Sequence, residues 1–263
     1  MTLLQDILTL ISGGLVGFSL GLIGGGGSVL AVPLLVYVVG VTDPHIAIGT
    51  SALAVAANAL FGLFTHWRHG AVKTGCAIAF AVFGVLGAAI GSTVGKMVDG
   101  AYLLTLFGVA MIAIGASMAR RRAEIGDNAV RLDWQSAPRL LPWIAPTALA
   151  VGFMAGFFGI GGGFLIVPGL VFSTGMPLLN AVGSSLMSVT AFGATTAGNY
   201  ALSGFVDWQI AAFLLLGGVV GGIAGVRLSR HLAAKQPALS YAFAGIVVVV
   251  GLYVVWRGIE PFL

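Results

Sequence analysis

Long apolar runs separated by short polar loops dominate this chain and leave few folds open to it. A helix needs about 20 apolar residues to cross a bilayer. The apolar runs lie at about 6–23, 28–40, 45–66, 74–95, 101–119, 140–158, 164–176, 178–203, 208–228 and 238–257. Only 8% of the residues are charged, whereas a soluble domain carries about 25%. We therefore predict an all-α integral membrane protein whose main partner is the lipid bilayer.

Two of the apolar runs are too short to cross a membrane comfortably. The runs 28–40 and 164–176 have 13 residues each, and each follows a cluster of glycines. Each also contains a proline, Pro33 or Pro168. Glycine and proline both interrupt helices and leave backbone groups without their usual partners. We predict that each short run is the second arm of a glycine-broken helical pair.

The two halves of the chain repeat one another. The segment GLIGGGGSVLAVPLL at 21–35 aligns with GFFGIGGGFLIVPGL at 156–170, an offset of 135 residues. At an offset of 134, Ala47, Gly49, Ser51, Gly84, Gly87 and Gly91 correspond to Ala181, Gly183, Ser185, Gly218, Gly221 and Gly225. We therefore predict an N-terminal repeat at 1–119, an Arg-rich linker at 120–139 and a C-terminal repeat at 140–263, with about five helical segments in each repeat.

The basic residues favour one of two topologies. If each broken pair crosses the membrane once, the repeats are parallel. If each pair returns as a hairpin, the repeats are inverted, and each hairpin precedes three transmembrane helices. Cytoplasmic loops carry an excess of Lys and Arg. With the linker inside, the hairpin arrangement places ten of the twelve basic residues inside, against eight for the other. We predict inverted-topology repeats, a cytoplasmic linker and both termini in the periplasm.

The glycine clusters are the first candidate substrate site. Inverted-repeat transporters bind substrate near the midplane, where broken helices of the two halves meet. Free N–H groups at helix ends bind anions, and we expect both tips to point at one place. The candidate residues are Gly24, Gly25, Gly26, Gly27 and Ser28 in the first tip and Gly159, Gly161, Gly162 and Gly163 in the second. Alternatively, the glycines only allow close helix packing, which is the better interpretation of the series beginning at Gly84 and Gly218.

Polar side chains within the spans extend this candidate site. Their hydroxyl and amide groups can donate hydrogen bonds to the oxygens of an anion. These residues are Thr50, Ser51, Asn58, Ser184, Ser185 and Asn199. The alternative for the hydroxyls is a helix cap or a bond to the carbonyl of the preceding turn. The alternative for the two amides is a bridge between helices.

Several other functions have little support in the sequence. The single cysteine, Cys76, excludes a CxxC motif and a cysteine-ligated metal site, and we predict no metal and no cofactor. The basic residues lie in short loops, which suits membrane orientation and argues against nucleic acid as a partner. A serine protease would need a histidine within reach of a serine at depth, and no such pair is apparent. We predict that the chain is not an enzyme, and a homodimer is possible.

The paired motifs resemble those of the sulfite exporter TauE/SafE family. The resemblance lies in the two glycine–proline segments at 21–35 and 156–170, each followed by A-x-G-[TS]-S at 47–51 and 181–185. It implies a bacterial inner-membrane, multi-pass transporter with two homologous halves that exports sulfite, organosulfonates or related anions. The second tip has Ile160 where the first has Gly25, and Gly163 where the first has Ser28. A site between the tips would therefore be asymmetric.

These observations together predict a secondary transporter. Its small anionic substrate would contain sulfur, as sulfite or an organosulfonate does, and would be held at the repeat interface by helix termini and hydroxyls. Alternating access would follow from rocking of one half against the other. The alternatives are an anion channel, a transporter of an unrelated small organic anion, and an assembly factor that transports nothing.

Overall fold

The computed structural model describes residues 3–23, 25–68, 72–120, 132, 136–159, 163–231 and 236–259. These residues form helices and connecting turns, with no strand among them, which confirms the predicted all-α fold. The elements are α1 (Leu3–Ile23), α2 (Gly25–Leu30, Ala31–Pro33 and Leu34–Val39), α3 (Pro44–Arg68), α4 (Thr74–Gly95), α5 (Gly100–Arg120), α6 (Ala137–Phe158), α7 (Gly163–Thr174), α8 (Leu178–Ala201), α9 (Trp208–His231) and α10 (Gln236–Ile259). Within the described residues, α1, α3, α4, α6, α8 and α9 are long and apolar enough to span a membrane.

The two short arms, α2 and α7, are the irregular elements of the bundle. In α2, a 3₁₀ segment is followed by one α-helical turn and a π-helical segment, since glycines open the arm and Pro33 lacks an N–H donor. In contrast, α7 stays α-helical around Pro168 but has only 12 residues. Each arm ends before a glycine in the left-handed region, Gly40 (φ 83°) or Gly175 (φ 71°). Such glycines commonly terminate helices.

Each short arm folds back along the helix that precedes it. Leu35 and Val39 of α2 pack in one cluster with Leu8, near the start of α1. The rings of Trp143 and Phe172 lie 6.1 Å apart and join the start of α6 to the end of α7. The pairs α1–α2 and α6–α7 are therefore helical hairpins.

Glycine seams join helices from different halves of the chain. Gly17 of α1 lies against the backbone of Gly218 in α9, and one turn later Gly21 lies against Gly222. The α6–α4 seam is equivalent, and its contacts join Gly152 to Gly84 and Gly156 to Ala88. A side chain at Gly17, Gly21, Gly152 or Gly156 would collide with the opposite backbone. The packing role predicted for the glycine series is confirmed, and the helices of each seam run in parallel.

Two pairs of helices run antiparallel to each other, α3 with α8 and α5 with α10. Gly49 near the start of α3 lies against Tyr200 at the end of α8, whereas Gly62 lies close to Leu186 near the start of α8. The helices α5 and α10 are antiparallel in the same way, with Gly108 against Gly251 and Gly115 against Ala244.

The remaining contacts divide six of the helices into two groups that run in opposite directions. Lys73 and Lys96, at the two ends of α4, contact Ser184 and Asn199 of α8 in the same order, so α4 and α8 are parallel. The contacts of Thr50 with Asp207 and of Asn58 with Gly218 make α3 parallel to α9. Thus α1, α3 and α9 run one way and α4, α6 and α8 the other. We name the ends of the bundle the Lys73 end and the Lys96 end.

Candidate functional site

Asn58 and Phe192 occupy equivalent places in the middle of the bundle. The Asn58 amide stands over Gly218 of α9, and the Phe192 ring stands over Gly84 of α4. A methyl group on either glycine would collide with the side chain above it. Because Gly193 lies against Ala56 of the antiparallel α3, Asn58 and Phe192 are at nearly the same depth. We call this depth the central level.

The two side chains differ in what they offer at the central level. Asn58 is only 7% exposed, and its Oδ1 has no hydrogen-bond partner in the described part of the chain. A buried polar group without a partner costs about 1–3 kcal/mol, so its retention here needs an explanation. Phe192 is fully buried, and its ring stacks on Phe80 with centroids 6.4 Å apart. One side is therefore polar and unsatisfied, and the other is apolar and closed.

The glycine tips of the hairpins lie on opposite sides of the central level. The seam places Gly17 beside Gly218, and α1 ends six residues later at Ile23, about 9 Å further along the axis. Gly152 lies beside Gly84, and α6 also ends six residues later, at Phe158. Because α1 and α6 run in opposite directions, their ends diverge. The expectation that the N–H groups of both tips point at one place stays a prediction.

The returning arms α2 and α7 pack into the same parts of the core. Ala31 of α2 and Ile166 of α7 belong to one buried cluster, and Val29 and Phe164 belong to a second. Both pairs correspond at the 135-residue offset. The arms therefore contribute apolar side chains to these clusters.

The described tip residues are occupied by structural contacts. Gly159 has φ 67° and ends α6, and its N–H donates to the carbonyl oxygen of Gly156 at 3.3 Å, so this donor is not free for an anion. Gly27 is packed against the backbone of α1. Gly25 and Gly26 lie in the 3₁₀ segment, and Ser28 and Gly163 are buried. Gly24, Gly161 and Gly162 lie outside the described residues.

Thr50 and Ser184 each accept a hydrogen bond from the other half of the chain, and we call these two bonds the clasp. The backbone N–H of Asp207, just before α9, donates to Thr50 Oγ1 at 2.9 Å. The backbone N–H of Lys73, just before α4, donates to Ser184 Oγ at 2.9 Å. These equivalent bonds lie at opposite ends of the bundle, far from the central level. They give both hydroxyls a structural function.

Ser51 and Ser185 bond within their own helices. Ser51 Oγ donates to the carbonyl oxygen of Ile48 at 3.0 Å, and Ser185 Oγ donates to that of Val182 at 2.8 Å. This is the alternative stated above for the hydroxyls, a bond to the preceding turn. Neither proton is left for a substrate in this conformation.

Asn199 bridges α8 to α4 and holds Lys96. Its Oδ1 accepts a hydrogen bond from Lys96 Nζ at 2.7 Å. Its Nδ2 donates to Ser92 Oγ at 2.7 Å and to Thr93 Oγ1 at 3.0 Å. The bridging alternative is confirmed for this amide. The sequence interpretation missed Lys96 as a functional candidate, although it was one of only two basic residues assigned outside.

Lys96 also lines a cavity at its end of the bundle. The cavity has a volume of about 890 Å³. Its charged and titratable lining residues are Asp43, His45, Lys96, Asp99 and Arg257. They come from the starts of α3 and α5 and from the ends of α4 and α10. The sequence places these residues near helix ends, but only the fold brings them together.

Comparison with known proteins identifies the family. The profile of the sulfite exporter TauE/SafE family matches residues 9–254, which is nearly the whole chain. The chain belongs to the TauE/SafE family. Membership agrees with the glycine–proline segments, the helical bundle and its six membrane-spanning helices. The chain is therefore a membrane transporter protein of this family.

Relatives of this TauE/SafE protein come from distant organisms. It is 49% identical over 257 residues to a "Probable membrane transporter protein" of Xylella fastidiosa strain 9a5c, covering 98% of this chain and 97% of the relative. It is 27% identical over 273 residues to "Probable membrane transporter protein YunE" of Bacillus subtilis, covering 97% and 99%. No solved structure shows a significant match.

Proposed function

We propose that this protein is a secondary transporter that exports a small sulfur-containing anion, such as sulfite or an organosulfonate, across the bacterial inner membrane. The observation that carries the proposal is the Asn58 side chain, which is buried at the central level between the two halves and whose Oδ1 has no hydrogen-bond partner among the described residues. Its Nδ2 is the donor that can bond an anion's oxygen without binding it too tightly for release, and its Oδ1 can accept from the proton of a protonated anion. The family description supplies the sulfur chemistry.

The directions of the helices support inverted repeats at 1–119 and 140–263, joined by the linker 120–139. Equivalent helices related by an axis in the membrane plane must be antiparallel, as α3 and α8 are. In this arrangement the Lys73 end carries ten of the twelve basic residues, which places it in the cytoplasm. Both termini then lie at the Lys96 end, in the periplasm.

The glycine seams determine which helices would move together. Backbone contacts couple α1 to α9 and α6 to α4. Each rigid body of an alternating-access cycle would therefore contain helices from both repeats. The contact of α3 with α8 and the crossing of α2 with α7 lie between these bodies. Rocking there would expose Asn58 to one side of the membrane and then to the other.

Counterflow in proteoliposomes tests this function. Vesicles loaded with unlabelled sulfite should accumulate labelled sulfite faster than empty vesicles, and uptake should saturate. Asn58→Leu should lower this flux by at least about tenfold, whereas Phe192→Leu should retain it per folded molecule. Flux that neither saturates nor responds to internal sulfite would replace the carrier by an anion channel.

Competition defines the class of substrate. Sulfate, thiosulfate, sulfoacetate, taurine and simple carboxylates would be added outside the vesicles during uptake. Inhibition by sulfonates but not by carboxylates supports a sulfur oxyanion. If only carboxylates compete, the substrate is an unrelated organic anion, and the assignment to sulfur is wrong.

A further inference from the structure

We infer that the cavity at the Lys96 end binds a small oxyanion, with the Lys96 ammonium as its principal contact. Naming that anion as the transported substrate rests on the proposed function, but the binding site itself does not.

The Lys96 ammonium is fixed in place without being neutralised. Nζ donates to the backbone oxygen of Asn199 at 3.0 Å, to Asn199 Oδ1 at 2.7 Å and to Ser203 Oγ at 2.8 Å. All three acceptors are neutral, and Asn199 is itself held by Ser92 and Thr93. These bonds use all three Nζ protons, so an oxyanion would take the place of the exposed Ser203 hydroxyl as an acceptor. The ammonium is already held at the cavity wall, and this preorganisation reduces the entropy lost on binding.

The two carboxylates of the cavity serve as helix caps. Asp43 Oδ1 accepts a bond from the backbone N–H of His45 at 2.8 Å, at the start of α3. Asp99 Oδ1 accepts one from the N–H of Ala101 at 2.9 Å, at the start of α5. The positive end of each helix dipole offsets part of the carboxylate charge. Each carboxylate is thus partly offset by its own helix, and Lys96 is the cation that an anion in this cavity would contact.

Two further polar groups, one lining the cavity and one beside His45, lack partners in the described part of the chain. His45 lines the cavity, and its buried Nδ1 has no hydrogen bond. The buried hydroxyl of Tyr200 is also unpaired, and its ring lies 6.3 Å from that of His45, centroid to centroid. Lys96 Nζ lies 5.9 Å from the centroid of the same Tyr200 ring. An unpaired polar group next to a fixed cation is typical of a binding site.

The bound oxyanion has two physical sources. It is either a free anion from the periplasmic side or the phosphate of an anionic phospholipid, because Trp256 beside Arg257 is 65% exposed where lipid would lie. Both ligands offer the same oxygens to the same ammonium. Experiments must therefore vary the ligand as well as the protein.

Thermal stability of the full chain in a neutral detergent gives the first test. Ligand that binds only the folded state raises the midpoint. Sulfite and sulfate would be titrated at constant ionic strength in the Asn58→Leu background, so that the central amide contributes nothing. In Lys96→Gln, which retains polar contact with Asn199 and Ser203, the apparent Kd should rise about tenfold, the loss expected for one charged hydrogen bond.

Lys73→Gln, at the other end of the same helix, is the matched control and should leave the apparent Kd unchanged. Equal Kd values in the Lys96 variant and its parent, or equal losses in both lysine variants, overturn the inference. So does the absence of any ligand-dependent shift.

The second arm replaces the free anion with phosphatidylglycerol micelles. A Lys96-dependent shift with sulfite or sulfate assigns the site to the free anion. A Lys96-dependent shift with the lipid alone supports the oxyanion site and identifies its occupant as a headgroup. Loss of flux in Asn58→Leu with an intact Lys96-dependent shift separates the two claims. If Asn58→Leu still transports while that shift persists, the proposed function fails and the site stands.

Discussion

The contact of α3 with α9 and that of α8 with α4 are built from equivalent positions, but their central side chains differ. Gly218 and Gly84 provide the same bare backbone surface, whereas Asn58 covers one and Phe192 covers the other. The phenyl ring is fully satisfied by apolar packing on Phe80. The amide retains an oxygen without a partner. Corresponding glycines thus give the two contacts the same backbone surface, and the side chains that cover these glycines differ in polarity.

The two ends of the bundle share one type of contact and differ in another. Thr50 and Ser184 accept equivalent backbone bonds at opposite ends, so the clasp between the halves is symmetric. At the Lys96 end a second network adds Asn199 and Ser203 around the ammonium. Position 230, equivalent to Lys96 by the 134-residue offset, is an arginine. Substitutions at contacts that occur in both halves, such as the clasp, should change stability by similar amounts. Substitutions at a contact found in one half alone should change transport.

The largest effect is expected at the seams, where both halves should respond alike. Gly17→Val and Gly152→Val each place a branched side chain against the backbone of the facing helix, which cannot move aside without separating the pair. Each should cost about 3 kcal/mol or more in stability and should prevent recovery of monodisperse protein by size-exclusion chromatography.

Gly222→Ala is the control within the same seam, because its added carbon would lie 3.6 Å from the Gly17 oxygen, at ordinary contact distance. It should be recovered like the parent protein. If only one of the two valine variants fails, the seams are not equivalent and the pseudo-symmetric backbone is wrong.

The second-largest effect is expected at Asn58 and Phe192, where one substitution should lower transport and the other should lower stability. Asn58→Leu replaces an unsatisfied amide with an apolar side chain of similar volume, so the melting temperature should not fall. Sulfite flux should drop at least about tenfold, the value of one hydrogen bond to a charged group. Phe192→Leu should show the reverse, a loss of about 1 kcal/mol in stability with flux per folded molecule unchanged. Paired melting curves and initial rates measure both.

Two results would contradict this comparison of Asn58 with Phe192. If Phe192→Leu stops transport as completely as Asn58→Leu, both sides of the central level serve the substrate path. If Asn58→Leu transports normally, the unpaired oxygen has another function.

The sequence predicted the elements better than it predicted their partners. The expected short run 164–176 corresponds to α7 (Gly163–Thr174), and the run 74–95 coincides with α4. Hydrophobic length and the glycine–proline pairs carry that information. In contrast, a glycine such as Gly17 signals close packing without saying which helix approaches. The pairing of α1 with α9 from the other repeat therefore became visible only in the fold.

The candidate site could be predicted only as a set of residue types. An amide within an apolar helix indicates that a polar partner is needed, and for Asn199 that partner is Lys96. Lys96 itself lies one residue beyond α4, and such a lysine is easily interpreted as a loop charge. The convergence of the glycine tips stays a prediction, because the sequence does not say how far each hairpin extends past the centre.

A smaller, symmetric effect is expected at the clasp. Thr50→Val and Ser184→Ala each remove the acceptor of a backbone N–H, from Asp207 or Lys73, and should each cost about 1 kcal/mol. Chemical or thermal unfolding in detergent measures the loss, and the KM for sulfite should stay unchanged. Thr190→Val is the control, since its hydroxyl bonds only within α8. A raised KM with unchanged stability would show that these hydroxyls bind substrate instead.

The smallest effect is expected at Ser51 and Ser185. Each hydroxyl donates to a carbonyl of its own helix, that of Ile48 or Val182. Such a carbonyl also accepts the regular backbone bond of the helix, so Ser→Ala leaves no group without a partner. Stability should change by less than about 0.5 kcal/mol, and the KM should not move in either variant. A KM several-fold higher in one variant alone would mean that its hydroxyl rotates toward the substrate during transport, which would add a second asymmetric contact to that of Asn58.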